Sequence, residues 1–329
     1  MYEYTNRPTY TQFLKKDVNS LFQITDFPEF SWSYSRHKMV TQCNRKYAYH
    51  YYVSHNGWLD SASAQSQSAY RLKKVSTLSM YAGQAVRQVI TEAISDYTST
   101  KLVPNERNLA EKVQQLLNNA LRDSTDYGEL WYHKPAQYKM LLEFYENGYI
   151  SKKDLKDMQK RVHICVHHFL QSKSFCDIVS SPFLEVEPHQ SFRSINVYDH
   201  KVYAPFHSLF KNPVTDEFTI VDWKISKQTK DDLFQLAIYA LYVLAEYNIS
   251  VDQIKVRNEY LLSGSARTYQ LTLHEIEAVL QQVDTSIDYM KTFLEDSEVN
   301  QPLPLEHFPQ TDTPASCHGC AFKELCQTG

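Results

Sequence analysis

Glycine is scarce, at 7 of 329 residues, so few of the tight loops that cradle phosphates can form. No GxxxxGK[ST] and no GxGxxG segment occurs, which argues against a nucleotide-driven motor or a dinucleotide site. Excess positive charge is also missing. The 34 Lys and Arg face 38 Asp and Glu, for a formal net charge of −4, so any contact with nucleic acid must come from local patches. Such patches are Arg45 with Lys46, the run Arg71, Lys73 and Lys74, the stretch Lys152 to Arg161, and Lys224, Lys227 and Lys230. No run of about 18 apolar residues is present, and the opening MYEYTNRPTYTQF lacks an apolar signal core. The expectation is a chain with no leader, no membrane span and a cytoplasmic address. In that setting six cysteines point to reduced thiols or metal ligands, not disulfides.

What is present suffices for a folded core. Hydrophobic residues make up 43%, tyrosine is over-used at 24 residues, and the length allows two average domains or one larger domain with a helical insertion. Residues 1–30 read as an irregular arm with short helical pieces. Helical periodicity covers Ser35 to Val53, with Asn56-Gly57 as a stop, then Leu78 to Tyr97, Asn108 to Leu121 and Lys153 to Gln171. After Ser181-Pro182 the pattern changes. Phe183 to Phe192, Lys201 to Phe210 and Glu217 to Ile225 read as strands, Asp231 to Tyr247 as a helix, and Ile254 to Leu262 with Arg267 to Leu273 as a hairpin. Glu275 to Asp296 predicts a long helix before a proline-punctuated tail. The order is mixed α/β, divided into 1–98 (amino-terminal helices), 99–180 (helical insertion), 181–300 (sheet core) and 301–329 (cysteine segment).

The tail reads C-x2-C-x5-C at Cys317, Cys320 and Cys326. A compact turn can aim three thiolates at one point, as zinc or an iron–sulfur cluster requires, and spacing alone does not separate the two. A fourth ligand has four candidates: Cys43, His318, Cys165 and Cys176. Cys165 and Cys176 lie in helical or apolar surroundings that suit small buried thiols. If Cys43 is the partner, the centre ties the two ends of the chain together and its binding energy contributes to folding.

Within Thr219 to Ile225, residues two apart share a face of a strand, so Asp222 and Lys224 point one way and Trp223 into the core. Burying a carboxylate and an ammonium is costly unless they serve each other or a metal. A carboxylate can hold Mg²⁺ or Mn²⁺ beside a phosphate while the ammonium orients water; an edge-strand salt bridge has the same sequence. Gln235 and Tyr239 lie one helical turn apart. His163 and His167 have metal-ligand spacing but read as exposed histidines. Tyr47, Tyr49, Tyr51, Tyr52 and Trp58 either stack on bases or pack in the core, and core packing is preferred. His274-Glu275 lacks the second histidine of H-E-x-x-H.

Four motifs together resemble the RecB/AddB-like branch of the PD-(D/E)XK nuclease superfamily. The segment Phe30 to Tyr47, with Ser-Tyr-Ser and Cys43, resembles the opening helix, which commonly reads S-x-S-x-x-x-x-x-x-x-C-P-x-x-Y. Tyr81-Ala-Gly83-Gln-Ala-Val-Arg87 looks like the G-x-x-x-H helix, Ile220-Val-Asp222-Trp-Lys224 like the (D/E)-x-K strand, and Gln235 to Tyr239 like the Q-x-x-x-Y helix. The cysteine tail with a remote amino-terminal cysteine is similar to the iron–sulfur staple of AddB. The resemblance implies a restriction-endonuclease-like mixed central sheet flanked by helices, with a helical insertion and stapled termini. It implies Cys43, Cys317, Cys320 and Cys326 as ligands of a [4Fe–4S] cluster, with Zn²⁺ as the alternative. It also implies Asp222 as metal ligand, Lys224 as catalytic lysine, and Gln235 and Tyr239 near the phosphates of DNA. Without a motor in the chain, a separate helicase or another complex subunit is the expected partner, in repair or phage defence.

Two departures stand out. Arg87 occupies the place of the family's metal-binding histidine. The stretch Ala204 to Phe210, where an aspartate is expected, has no carboxylate, and His207 is the nearest equivalent. Glu185 and Glu187 are candidates to replace it. Two readings follow: a metal-dependent deoxyribonuclease with an altered ligand set, and a degenerate fold that binds DNA or a partner without cutting, with Arg87 holding a phosphate.

Overall fold

The computed structural model describes residues 14–16, 24–181, 183–187 and 193–328. A five-stranded sheet lies at the centre: β1 (Glu185–Val186), β2 (Ser208–Asn212), β3 (Glu217–Lys224), β4 (Ile254–Tyr260) and β5 (Ser265–Gln270), in the order β5-β4-β3-β2-β1. Only the β3–β4 pair is parallel; the other three are antiparallel. The chain crosses from β3 to β4 through a helix (Asp232–Tyr247), as a parallel pair demands. A second sheet of four strands joins Leu14–Lys16, Ser194–Val197, His200–Tyr203 and Ser31–Trp32 in that order.

The helices used below are α1 (Tyr34–Gln42), α2 (Asn44–Ala48), α3 (Ala64–Lys73), α4 (Leu78–Thr100), α5 (Glu106–Asp126), α6 (Lys152–Leu170), α7 (Lys173–Ser180), α8 (Asp232–Tyr247) and α9 (Leu273–Lys291). Side-chain caps set their starts: Thr77 for α4, Ser151 for α6, Ser172 for α7, and a Thr272/Glu275 capping box for α9.

Strand β3 is central and buried on both faces. Phe218 and Ile220 join a core with α8 and α9, whereas Val221 and Trp223 join a second core with α4, α5, α6 and α7. Thus the helices of residues 99–180 share one continuous apolar core with a face of the sheet. The buried Glu259 of β4 reinforces the joint, accepting from the Ser174 backbone N–H at 2.8 Å and its hydroxyl at 2.7 Å. The result is a mixed α/β architecture.

Several boundaries differ from the periodicity reading. The helix expected over Ser35 to Val53 breaks at Cys43, whose backbone is extended; Cys43 ends α1 and its Sγ caps α2, and a π turn follows at Tyr49–Val53. The strand expected over Lys201 to Phe210 is two strands in two sheets, because Pro205 has no N–H to continue a ladder. The long helix ends at Lys291, and Leu294–Asp296 then pairs with Gln301–Pro302. Part of the expected arm is a strand, Leu14–Lys16, while most of residues 1–23 lie outside the described residues. Of the strand expected over Phe183 to Phe192, Glu185–Val186 is observed, and 188–192 lie outside the described residues. The hairpin turns at Gly264, whose φ of +67° favours glycine. Among the described residues no helix is long and apolar enough to cross a membrane.

Candidate functional site

At the carboxyl end of β3 a cleft of about 980 Å³ opens between α4, α8 and the start of β2. Alternation along β3 turns Asp222 and Lys224 toward α8, while Trp223, 1% exposed, packs among α6 and α7 side chains. The cleft is lined by Asp222, Lys224, Gln235, Tyr239, His207 and Arg87, so sheet and helices bring all six sequence candidates together.

Their contacts form one network. Lys224 Nζ lies 3.0 Å from Asp222 Oδ2 and 3.4 Å from Asp232 Oδ1, and donates to Gln235 Oε1 at 2.7 Å. Gln235 Nε2 in turn donates to the Tyr239 hydroxyl at 2.5 Å. Asp232 caps the preceding turn, accepting from the Thr229 backbone N–H and from the Tyr260 hydroxyl. Asp222 Oδ1 meets His207 Nδ1 at 2.5 Å, and the Trp223 N–H points at the same nitrogen from 3.0 Å. A lone pair on Nδ1 accepts from Trp223, whereas a proton there donates to Asp222; one nitrogen does not do both. When Nδ1 accepts, two electron-rich atoms face each other, and a shared cation is a natural way to relieve this.

Burial pushes the Asp222 carboxyl up, but His207 and Lys224 outweigh it and hold the group well below the usual carboxylate range. Asp232 is likewise lowered: burial opposes ionisation, and the Thr229 and Tyr260 hydrogen bonds with Lys224 prevail. Burial, with Asp222 nearby, drives the Tyr239 hydroxyl well above its ordinary value. At neutral pH Asp222 and Asp232 are therefore carboxylates flanking Lys224, and Tyr239 is a protonated phenol.

Glu185 and Glu187 do not reach this site. Glu185 faces Lys211 across the β1–β2 pair, and Glu187 accepts from the Tyr247 hydroxyl at the far end of α8. The cleft's other carboxylate, Glu92, is 45% exposed and stands 3.9 Å from Lys112. Asp222 and His207 are thus the inner metal-donor pair. Mg²⁺ favours more oxygen ligands; one imidazole with one carboxylate fits Mn²⁺ or a softer ion that keeps water and substrate oxygen in its remaining positions.

The superfamily profile for PD-(D/E)XK nucleases matches residues 212–327. This part of the chain is a PD-(D/E)XK nuclease superfamily domain. The match takes in β3, with Asp222 and Lys224, the whole of α8, β4, β5 and the cysteine tail. No curated protein matches the chain by sequence.

At the other end of the PD-(D/E)XK domain, Cys317, Cys320 and Cys326 line one cavity of about 150 Å³ together with Cys43. The break between α1 and α2 is what presents Cys43 there. Burial pushes the Cys320 and Cys326 thiols up, and the neighbouring thiols act in the same direction. Four thiols from both ends of the chain line this one cavity, which is the number a four-thiolate centre needs. Among the described residues no three His, Cys, Asp or Glu side chains are arranged to hold a metal ion, so coordination is not complete in this geometry. His318 is outside the cavity lining, Cys165 is buried in the helical core, and Cys176 is exposed on α7.

Other candidates lie elsewhere. His163 and His167 are exposed, and His167 pairs with Glu106 at 3.0 Å. Of the five aromatic residues expected in the core, Tyr47, Tyr49 and Tyr52 are buried there, Tyr51 is half-buried and Trp58 is exposed. Sequence reasoning assigned neither Asp232 nor Arg161 to this site. Asp232 carries the only hint, an acid at a helix start. Arg161 was one of a basic run, and only the fold shows that it alone of that run lines the cleft.

Proposed function

We propose that the protein is a RecB-like, metal-dependent deoxyribonuclease with an altered ligand set, acting in the cytoplasm. The observation that carries this is the pairing of buried Asp222 with half-buried Lys224 in a cleft that Arg87 and Arg161 also line. A buried carboxylate and ammonium cost folding energy, and a phosphodiester-facing role accounts for keeping them. His207 and Asp222 would hold Mn²⁺ or Mg²⁺, which when bound offsets developing charge and makes water more acidic. Lys224, aimed by Gln235, orients the attacking water; its oxygen bonds to phosphorus as the bond from phosphorus to the sugar oxygen breaks, the water giving a proton to solvent and the sugar oxygen taking one from it. Arg87, Arg161 and the Tyr239 hydroxyl bind the non-bridging phosphate oxygens. Cys43, Cys317, Cys320 and Cys326 would hold a [4Fe–4S] cluster that staples the chain ends, zinc being the alternative occupant. A separate helicase subunit would supply unwound DNA.

A second reading is favoured by one observation. Both Asp222 oxygens are already engaged, by His207 and by Lys224, and Arg87 adds a fixed cation to the cleft. Such a cleft binds a phosphate without cutting it. Cleavage of labelled DNA in Mg²⁺ and in Mn²⁺ separates the two: wild type should cut and Asp222→Ala and His207→Ala should not. Equal traces of activity in all three would end the enzyme reading.

A further inference from the structure

We propose that a cation–aromatic surface built by α1, α3 and the turn after α3 holds single-stranded nucleic acid beside the cleft, a proposal that rests on the nuclease reading of that cleft. The cations come from α1, α3 and the turn after α3, and the rings from α3, the π turn and the loop that follows it. Arg36 of α1 lies 4.1 Å from the centre of the Tyr51 ring, and Lys73 of α3 approaches the same ring at 5.5 Å. Lys74, in the turn, stands 5.3 Å from the Tyr70 ring. Trp58, 42% exposed, meets Tyr70 edge-on at 5.7 Å between centroids.

No ion pair offsets these charges: among the described residues no carboxylate lies within salt-bridge distance of Arg36, Lys73 or Lys74. The charges that act on Lys73, Lys74 and His50 are instead cationic. Burial lowers Lys73 to about 8, helped by Arg36 and Lys74, and His50 to about 3, helped by Lys73, Arg36, Lys46 and Lys74. Like charges held together in partial burial are an electrostatic cost, and an incoming polyanion removes it. Cations interleaved with partly exposed rings are the arrangement used to grip single strands, where phosphates meet cations and bases meet ring faces.

The surface also adjoins the proposed active site. Lys74 precedes by a short strand the helix α4, whose Ser79, Met80 and Gly83 line the cleft. On the α1 side, Tyr34 packs against Phe234, next to the cleft residue Gln235. A single strand leaving the cleft past either element would run toward these cations.

Binding of a labelled oligothymidylate and of a blunt DNA hairpin, measured against salt with a chelator present to prevent hydrolysis, tests the proposal. For Lys73→Gln/Lys74→Gln the log–log salt slope on the single strand should fall in magnitude by about 1.4, and affinity by about tenfold, with far less change on the hairpin. Lys73→Arg/Lys74→Arg should retain the slope, and neither variant should lower Tm, since mutually repelling charges are removed or kept. An unchanged slope, an equal loss on both DNAs, loss in the Arg variant as well, or preferential binding to anionic vesicles would overturn it. Cleavage in Mn²⁺ is scored separately. Cutting with no slope change removes this surface alone, and a slope change without cutting removes the nuclease reading alone.

Discussion

Asp222→Asn tests whether the cleft is an interlocked charge network. Asp222 is 3% exposed, and its two oxygens meet His207 and the Lys224 ammonium, the latter at 3.0 Å. Removing one partner of a buried ion pair costs about 3–5 kcal/mol, because the other charge is left stranded. Lys224 is not fully stranded here: Asp232 stays at 3.4 Å and Gln235 at 2.7 Å. The loss should therefore sit at the low end, about 3 kcal/mol at pH 7. With a urea slope of about 3 kcal/mol/M, that lowers the unfolding midpoint by about 1 M. The pH dependence has a definite sign. The folded carboxyl titrates below its unfolded value of about 3.9, so its contribution is full above pH ~4 and fades as pH falls further. Urea unfolding followed by tryptophan fluorescence at pH 7 and at successively lower pH reads both effects. An Asn variant as stable as wild type at pH 7, or a gap that stays constant below pH ~4, would refute the network.

Cys43→Ser should release bound iron or zinc and lower Tm as much as Cys326→Ser does, if both thiols serve one centre. Absorbance near about 400 nm on anaerobically purified protein, with metal analysis, checks it, and a variant that keeps its metal counts against Cys43. At Gly83 an added Cβ stands 3.1 Å from Ile225 Cδ1 and 3.6 Å from an Arg87 nitrogen. Gly83→Val should therefore push into the cleft and cut DNA binding about tenfold or more, while Gly83→Ala should lose less; equal affinities in a binding titration would count against a phosphate site there.

Local pattern was readable where one strand or helix dictated it. Two-residue alternation put Asp222 and Lys224 on one face of β3 and Trp223 on the other, and helical spacing stacked Gln235 below Tyr239. Periodicity was less informative where the chain changes partner. Lys201 to Phe210 is rich in aromatic and aliphatic residues, yet Pro205 splits it between two sheets and leaves His207 at the edge of the cleft. Likewise the break at Cys43 is hidden in a helical pattern, because a cap made by a thiol has no strong sequence signal.

What the sequence determined by itself was chemistry at short range: which side chains share a face, which segments alternate with period two or 3.6, and which cysteines can converge within one turn. Only the tertiary structure decided the pairings at long range. Asp232 against Lys224, His207 against Asp222, Cys43 against the terminal cysteines, and Arg161 at the cleft join segments that no local period relates. Side-chain periodicity records the direction in which a residue points, whereas its partner is set by how the helices pack across the sheet.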